Sequence, residues 1–278
     1  MKIIETGKSY SFDKDDCLIA DNSSLVITDK WISATADFIS LINKDYVDSI
    51  YIRGSAASGH TIDNVSDLDF IVVYREQKHV DQLNHVVKEE FDEYKKTISD
   101  MLLRRYKFIT DIHIDITSRN VQDDDLLTIK HLSTCIYGES LAPILPVVTK
   151  QDLKTVEIFY DKVRQEFDEM LKGNISKQYM CRALLRLTFM LVFQVHEDKV
   201  WTRDLYQCYK HSSKIYPEQK ERMEFILQIA IKEDVYYEDD FISYKNPREN
   251  TILINYEEWL YNELLKYKMI NNASENTI

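Results

Sequence analysis

The sequence predicts an α+β fold, with a small mixed sheet flanked by helices in its N-terminal half and a helical bundle in its C-terminal half. Three observations carry this. Short alternating or β-branched runs cluster early, around residues 49–53, 68–74 and 108–116. After Gln151 the apolar residues recur at helical spacing instead. Only five Gly and four Pro occur in 278 residues, which leaves little room for long flexible linkers and much for helix. Gly138, Pro143 and Pro146 punctuate the junction, so a first domain is expected over 1–149 and a helical domain over 150–270. The polar tail, 271–278, is expected to fray.

Residues 1–28 carry polar clusters and no assignable role. Asp29 can cap a first helix whose stripe is Ile32, Thr35, Ile39 and Ile42. In the first strand Ile50 and Ile52 alternate with Tyr51 and Arg53, as on a half-buried strand. The run Gly54-Ser55-Ala-Ala-Ser-Gly59 follows and holds two of the five glycines. Glycine lets the backbone turn sharply and approach a ligand closely, so that N–H groups can face a phosphate. The second strand opens on Ser66-Asp67-Leu-Asp69, and the i, i+2 spacing puts both carboxylates on one side. Paired carboxylates repel each other unless a cation lies between them. Oxygen ligands on a rigid edge suit Mg²⁺ that also carries phosphates.

A long amphipathic helix follows, through Val80, Leu83, Val87, Phe91, Tyr94, Ile98 and Leu102, ending near Arg104 and Arg105. The strand–helix–strand order makes the second and third strands parallel. On the third strand Asp111, His113 and Asp115 alternate with isoleucines and share one face. If the strands begin together, Asp111 matches Asp69; Asp115 lies two pleats further on and is the alternative. His113 reads as solvated strand face, and Asp123-Asp124-Asp125 as a solvated loop.

In the second half Leu153, Val156, Tyr160, Val163, Phe167 and Met170 form a helical stripe that stops at Gly173. Ser176 opens a helix that is apolar nearly all round, which predicts a central place in a bundle. Thr202 is expected to cap a helix starting at Arg203, and Pro217 to open another. Asn255 with Glu258 forms a capping-box pattern for a last helix.

Composition narrows the function classes. A net charge of −12 repels a phosphate backbone, so an extended nucleic-acid partner is disfavoured. Cys17, Cys135, Cys181 and Cys208 are scattered, without a Cys-x-x-Cys pair, and read as reduced thiols. No apolar signal segment precedes the first charges and nothing reaches the length of a membrane span, so a cytoplasmic protein is expected.

Gly54-Ser55, a spacer, and Ser66-Asp67-Leu-Asp69 before an apolar run resemble the signature of the DNA-polymerase-β-type nucleotidyltransferase superfamily. In length and helical second half the chain is most similar to aminoglycoside nucleotidyltransferases and related small bacterial enzymes. The resemblance implies transfer of a nucleotidyl group, most simply AMP from ATP, onto a hydroxyl acceptor. It implies Mg²⁺, as two ions, on Asp67, Asp69 and a third carboxylate, Asp111 or Asp115, that binds metal or deprotonates the hydroxyl. Gly54, Ser55 and Ser66 would serve the nucleotide. Basic residues of the helical domain would reach the β- and γ-phosphates, Arg203 foremost, with Tyr206 and Lys210 one and two turns on; Arg182 and Arg186 are weaker candidates. A small cationic acceptor, such as an antibiotic of the aminoglycoside type, suits the acidic chain, and the acidic aromatic run 233–241 could attract it. Two alternatives stand beside this: a non-catalytic nucleotide-binding or interaction module on the same fold, and a nucleotidyltransferase that modifies protein or tRNA.

Overall fold

The structure is a computed structural model that describes residues 7–19, 29–59, 61, 66–107, 110–121, 123–196, 199–231 and 247–275, with backbone alone at 29–30, 82–90, 123–124, 247 and 269–275. The chain divides into two compact units, Asp13–Thr149, and Met1–Phe12 together with Lys150–Ile278. The described part of the start groups with the helical unit, unlike the reading that ran one domain from residue 1. The reason is local. Strand β1 (Tyr10–Phe12) pairs antiparallel with β7 (Val200–Trp201), and the Thr202 hydroxyl donates to the Lys8 carbonyl at 2.6 Å.

In the first unit β2 (Leu18–Ile19) precedes α1 (Asp29–Leu41), β3 (Val47–Arg53), the short helix α2 (Gly54–Ser58), β4 (Leu68–Tyr74), α3 (Gln77–Tyr106) and β5 (Ile112–Ser118). Then come α4 (Asp123–Leu127), one π-helical turn (Thr128–Leu132) and β6 (Ser133–Gly138). Four strands form a mixed sheet in the order β5-β4-β3-β6; β4 and β5 are parallel, as the intervening helix requires, and the other pairs are antiparallel. Period-2 alternation sorts the side chains. Ile50, Ile52, Leu68, Phe70, Val72 and Ile112 pack with α1 and α3 on one face. Tyr51, Ile71 and Val73 pack with Ile129 and Leu141 on the other.

The predicted stripe of α1 holds in part: Thr35 and Ile42 are buried and Ile39 partly so, but Ile32 is 51% exposed. Trp31, Ala34 and Phe38 are fully buried beside them, Phe38 stacking on Phe70 with centroids 4.0 Å apart. The acidic run at Asp123 is not a loop but the start of α4, where negative charge favours a helix N-terminus. Strand β6, at the edge of the sheet, has no expectation in the sequence to match, and Leu141, beyond it, is tied down by donating its N–H to the Tyr51 hydroxyl at 2.6 Å.

In the second unit α5 (Val156–Leu171), α6 (Lys177–Val195), α7 (Leu205–Ile215), α8 (Lys220–Ala230) and α9 (Pro247–Glu275) pack into a bundle, with a 3₁₀ turn at Pro217–Gln219. All five apolar residues expected within α5 are buried, and Leu153 just ahead of it is too. Gly173 ends the helix at φ +88°, donating to Met170 O at 3.0 Å, while Asn174 N donates to Glu169 O at 2.9 Å. Ser176 caps α6 by accepting from Tyr179 N at 3.0 Å. Helix α6 packs against α5, α7, α8 and α9, the central position its all-round hydrophobicity predicted.

Three boundaries differ from expectation. Helix α7 starts at Leu205 and its cap is Asp204, which accepts from Tyr206 N and Gln207 N at 3.1 and 3.4 Å; Thr202 instead accepts from Asp204 N. Helix α9 starts at Pro247, so Asn255 and Glu258 lie inside it; Pro at the first turn is the stronger start signal. The same helix continues through Glu275, where a frayed tail was expected, since each added residue adds one backbone hydrogen bond once the helix exists. Among the described residues no helix is long and apolar enough to cross a membrane.

Candidate active site

The register places the acidic side chains of the first unit. In β4 and β5 Leu68 is level with Ile112, Asp69 with His113 and Ile71 with Asp115. Asp67 and Asp111 lie just before these strands. Two contacts draw the entries together: Leu68 N donates to Asp111 O at 2.8 Å, and the Thr110 hydroxyl donates to Ser66 O at 2.7 Å. Side chains at alternate positions share a face, so Asp67, Asp69, Asp111, His113 and Asp115 all stand on one side of the sheet. Arg53, level with Asp69 on the antiparallel neighbour β3, joins them.

Ligand atoms of Asp67, Asp111 and His113 lie within 4.8 Å of one another. This separates the third-strand candidates. Asp111 falls beside Asp67, not beside Asp69 as equal strand starts would have it. His113 takes the place beside Asp69; it is exposed, as expected of a solvated strand face, and its ring nitrogen also falls within the cluster, which only register, not alternation, could have shown. Asp115 is turned to other use, with its Oδ2 2.5 Å from Nη2 of Arg53.

The run expected as a turn is the short helix α2, and its first residue is shaped to Asp69. Gly54 sits at φ +68°, a left-handed conformation that suits glycine. A Cβ there would lie 2.8 Å from Oδ2 of Asp69, so the missing side chain leaves space that the carboxylate fills. Ser55 is partly exposed next to it, and Ala56 and Ala57 are buried beneath. Asp67 and Asp111 offer oxygens and His113 a nitrogen, a set that can hold a divalent cation; Asp69, expected as a ligand, is not among the three but stands on the same face against Gly54.

The candidates in the helical unit are described by themselves. Arg203 is exposed and lies just before α7, while Tyr206 and Lys210 are on it. Its carbonyl accepts from Arg186 Nε at 3.1 Å, so two of the basic candidates meet there. Arg182 is directed elsewhere, donating from Nε to Ala230 O at 3.0 Å. The acidic aromatic run 233–241 lies outside the described residues.

Neither family models nor curated proteins give a match to this chain. Among solved structures the fold is similar to that of spectinomycin adenyltransferase AAD(9) from Enterococcus faecialis, determined with ATP and spectinomycin. The two are 14% identical with a TM-score of 0.50, over 83% of this chain and 99% of the other. At that identity the likeness is one of fold: a mixed four-stranded sheet flanked by helices, followed by C-terminal helices.

Proposed function

We propose that the protein is a Mg²⁺-dependent nucleotidyltransferase that moves a nucleotidyl group, AMP from ATP in the simplest case, onto a hydroxyl of a small acceptor. The observation that carries this is the clustering of Asp67, Asp111 and His113 at one sheet edge, with Asp69 on the same face against Gly54. The likeness of fold to a protein determined with ATP and spectinomycin supports the same reading. The acidic balance of the chain favours a cationic acceptor of the aminoglycoside kind.

Asp67, Asp69 and Asp111 would hold the metal, as two ions, whose contribution when bound is to neutralise phosphate charge and stabilise the departing pyrophosphate. The chain's own part is positioning and proton transfer. The Ser55 hydroxyl and the Gly54 backbone N–H would donate to phosphate oxygens, with Ser66 at the entry to β4 completing the nucleotide side. Where Asp111 acts as base instead of binding the second ion, its carboxylate would take the proton of the acceptor hydroxyl as the hydroxyl oxygen bonds to the α-phosphorus and the bond from that phosphorus to the departing pyrophosphate breaks. Arg203, Tyr206 and Lys210 of the helical unit would serve the nucleotide by their chemistry, as cations and donors for phosphate. The setting would be the cytoplasm.

Calorimetric titration with ATP and Mg²⁺, then a pyrophosphate-release assay over hydroxyl-bearing acceptors, tests the proposal. Saturable, Mg²⁺-dependent ATP binding with pyrophosphate release on adding an acceptor is the expected result. Absence of ATP binding would overturn it. Binding without release over a broad acceptor panel would favour the non-catalytic nucleotide-binding module.

A further inference from the structure

Arg53 and Asp115 stand on strands that do not touch. Arg53 ends β3 and Asp115 is on β5, with β4 between them, yet their charged atoms are 2.5 Å apart. The guanidinium therefore crosses the central strand on the face that carries Asp69, from a position level with Asp69 to one level with Ile71. The pair is not sealed in the core: the Arg53 side chain is 28% exposed and that of Asp115 49%. A pair this wet adds little stability, so holding the sheet together does not account for it. Its position does invite another role. The residue after Arg53 is Gly54, start of the turn assigned to the nucleotide, and a guanidinium is a planar fork of donors that fits phosphate oxygens two at a time.

We infer that Arg53 is a binding residue for the phosphates of the nucleotide, held by Asp115 until the nucleotide arrives. The inference rests on the proposed nucleotidyl transfer and adds a residue outside the glycine turn and the metal edge. The carboxylate and the phosphates compete for one fork. A triphosphate carries more negative charge and more acceptor oxygens than a single carboxylate, so it draws the fork away.

Competition has a signature that a structural ion pair lacks, because the two partners affect binding with opposite sign. Affinity for ATP with Mg²⁺ and for adenosine is measured by calorimetry on wild type, Arg53→Gln, Asp115→Asn and the double variant. Arg53→Gln should weaken ATP roughly tenfold, the size of one charge-assisted hydrogen bond lost. Asp115→Asn, which removes the competitor at constant size, should tighten ATP several-fold, and the double variant should behave like Arg53→Gln. Adenosine, without phosphates, should bind all four alike. Arg53→Lys keeps the charge but not the fork and should fall between wild type and Arg53→Gln, which guards against misfolding of the glutamine variant. Losses of equal sign and size in both single variants, or unchanged ATP affinity in Arg53→Gln, would overturn the inference while wild-type binding leaves the nucleotidyltransferase reading intact. A wild type that binds no ATP would bring down that reading and the inference with it.

Discussion

A methyl group added to Gly54 would sit 2.8 Å from Oδ2 of Asp69, so the turn and the carboxylate are fitted to each other. Gly54→Ala meets two costs at once, the left-handed φ of +68° and this contact. The backbone term alone is about 1–2 kcal/mol. Thermal unfolding should register that loss, and ATP affinity with Mg²⁺ should fall as Asp69 is pushed from its place. A variant that melts and binds like wild type would show that the close fit has no bearing on the site.

The carboxylates should separate by the quantity each affects. Asp69→Ala is expected to abolish transfer with the fold intact, and in metal-free buffer its stability should be unchanged or slightly higher, since a like-charge neighbour of Asp67 is gone. Asp111→Asn should lower turnover far more than ATP affinity, because a proton acceptor acts mainly in the transition state. Turnover at saturating ATP for Asp111→Asn and Asp115→Asn assigns the third carboxylate. Loss confined to Asp115→Asn would move the role there.

These assignments show what was readable in the sequence and what was not. Alternation and the scarcity of glycine are local signals, and they marked β3, the Gly54 turn and the faces of β4 and β5. Register is not local. It depends on the lengths of α3 and its flanking turns: equal strand starts would pair Asp111 with Asp69, whereas the strands place Asp111 beside Asp67 and His113 beside Asp69. The short strands β1 and β7 take their structure from each other across the chain, and neither run alone marks a strand. Thr202 and Asp204 are both good capping residues, and only the backbone path, which ties the Thr202 hydroxyl to Lys8 O, leaves the cap to Asp204. Asn255 and Glu258 have the spacing of a cap but a helix already runs through them from Pro247.

The π-helical turn supplies a pH dependence. His131 is buried beside Lys130, whose ammonium donates to Ala142 O and Leu145 O at 2.9 and 2.7 Å. Burial first, and that neighbouring charge second, pull His131 from its ordinary 6.5 down to about 4. The unfolded chain therefore takes up the proton first. The stability this neutral histidine contributes is complete above pH 6.5 and is lost as the pH falls towards 4. Urea midpoints across that range should fall less steeply for His131→Gln than for wild type. Parallel slopes would show that other groups govern the acid limb.

The loop before α7 offers neighbouring residues with opposite expected readouts. Asp204 accepts from Tyr206 N and Gln207 N, which are otherwise orphan donors of the first helical turn. Asp204→Ala should cost about 0.5–2 kcal/mol of stability, the range for a lost cap. Arg203 differs, because its link to Arg186 Nε runs through its own carbonyl and survives any side-chain change. The Arg203 side chain is exposed, where an ion pair contributes little, so Arg203→Ala should leave the melting curve nearly unmoved. If its guanidinium serves the β- and γ-phosphates, ATP affinity should fall by about tenfold to a hundredfold, the equivalent of roughly 1.5–3 kcal/mol for a charge-assisted bond. AMP lacks those phosphates and should bind as before. A surface arginine occupied only with neighbouring acids predicts equal small changes for both nucleotides. Titrating ATP and AMP against both variants at one Mg²⁺ concentration separates these outcomes, with Asp204→Ala as the control for local unfolding. Equal losses of ATP and AMP in Arg203→Ala would remove Arg203 from the nucleotide site.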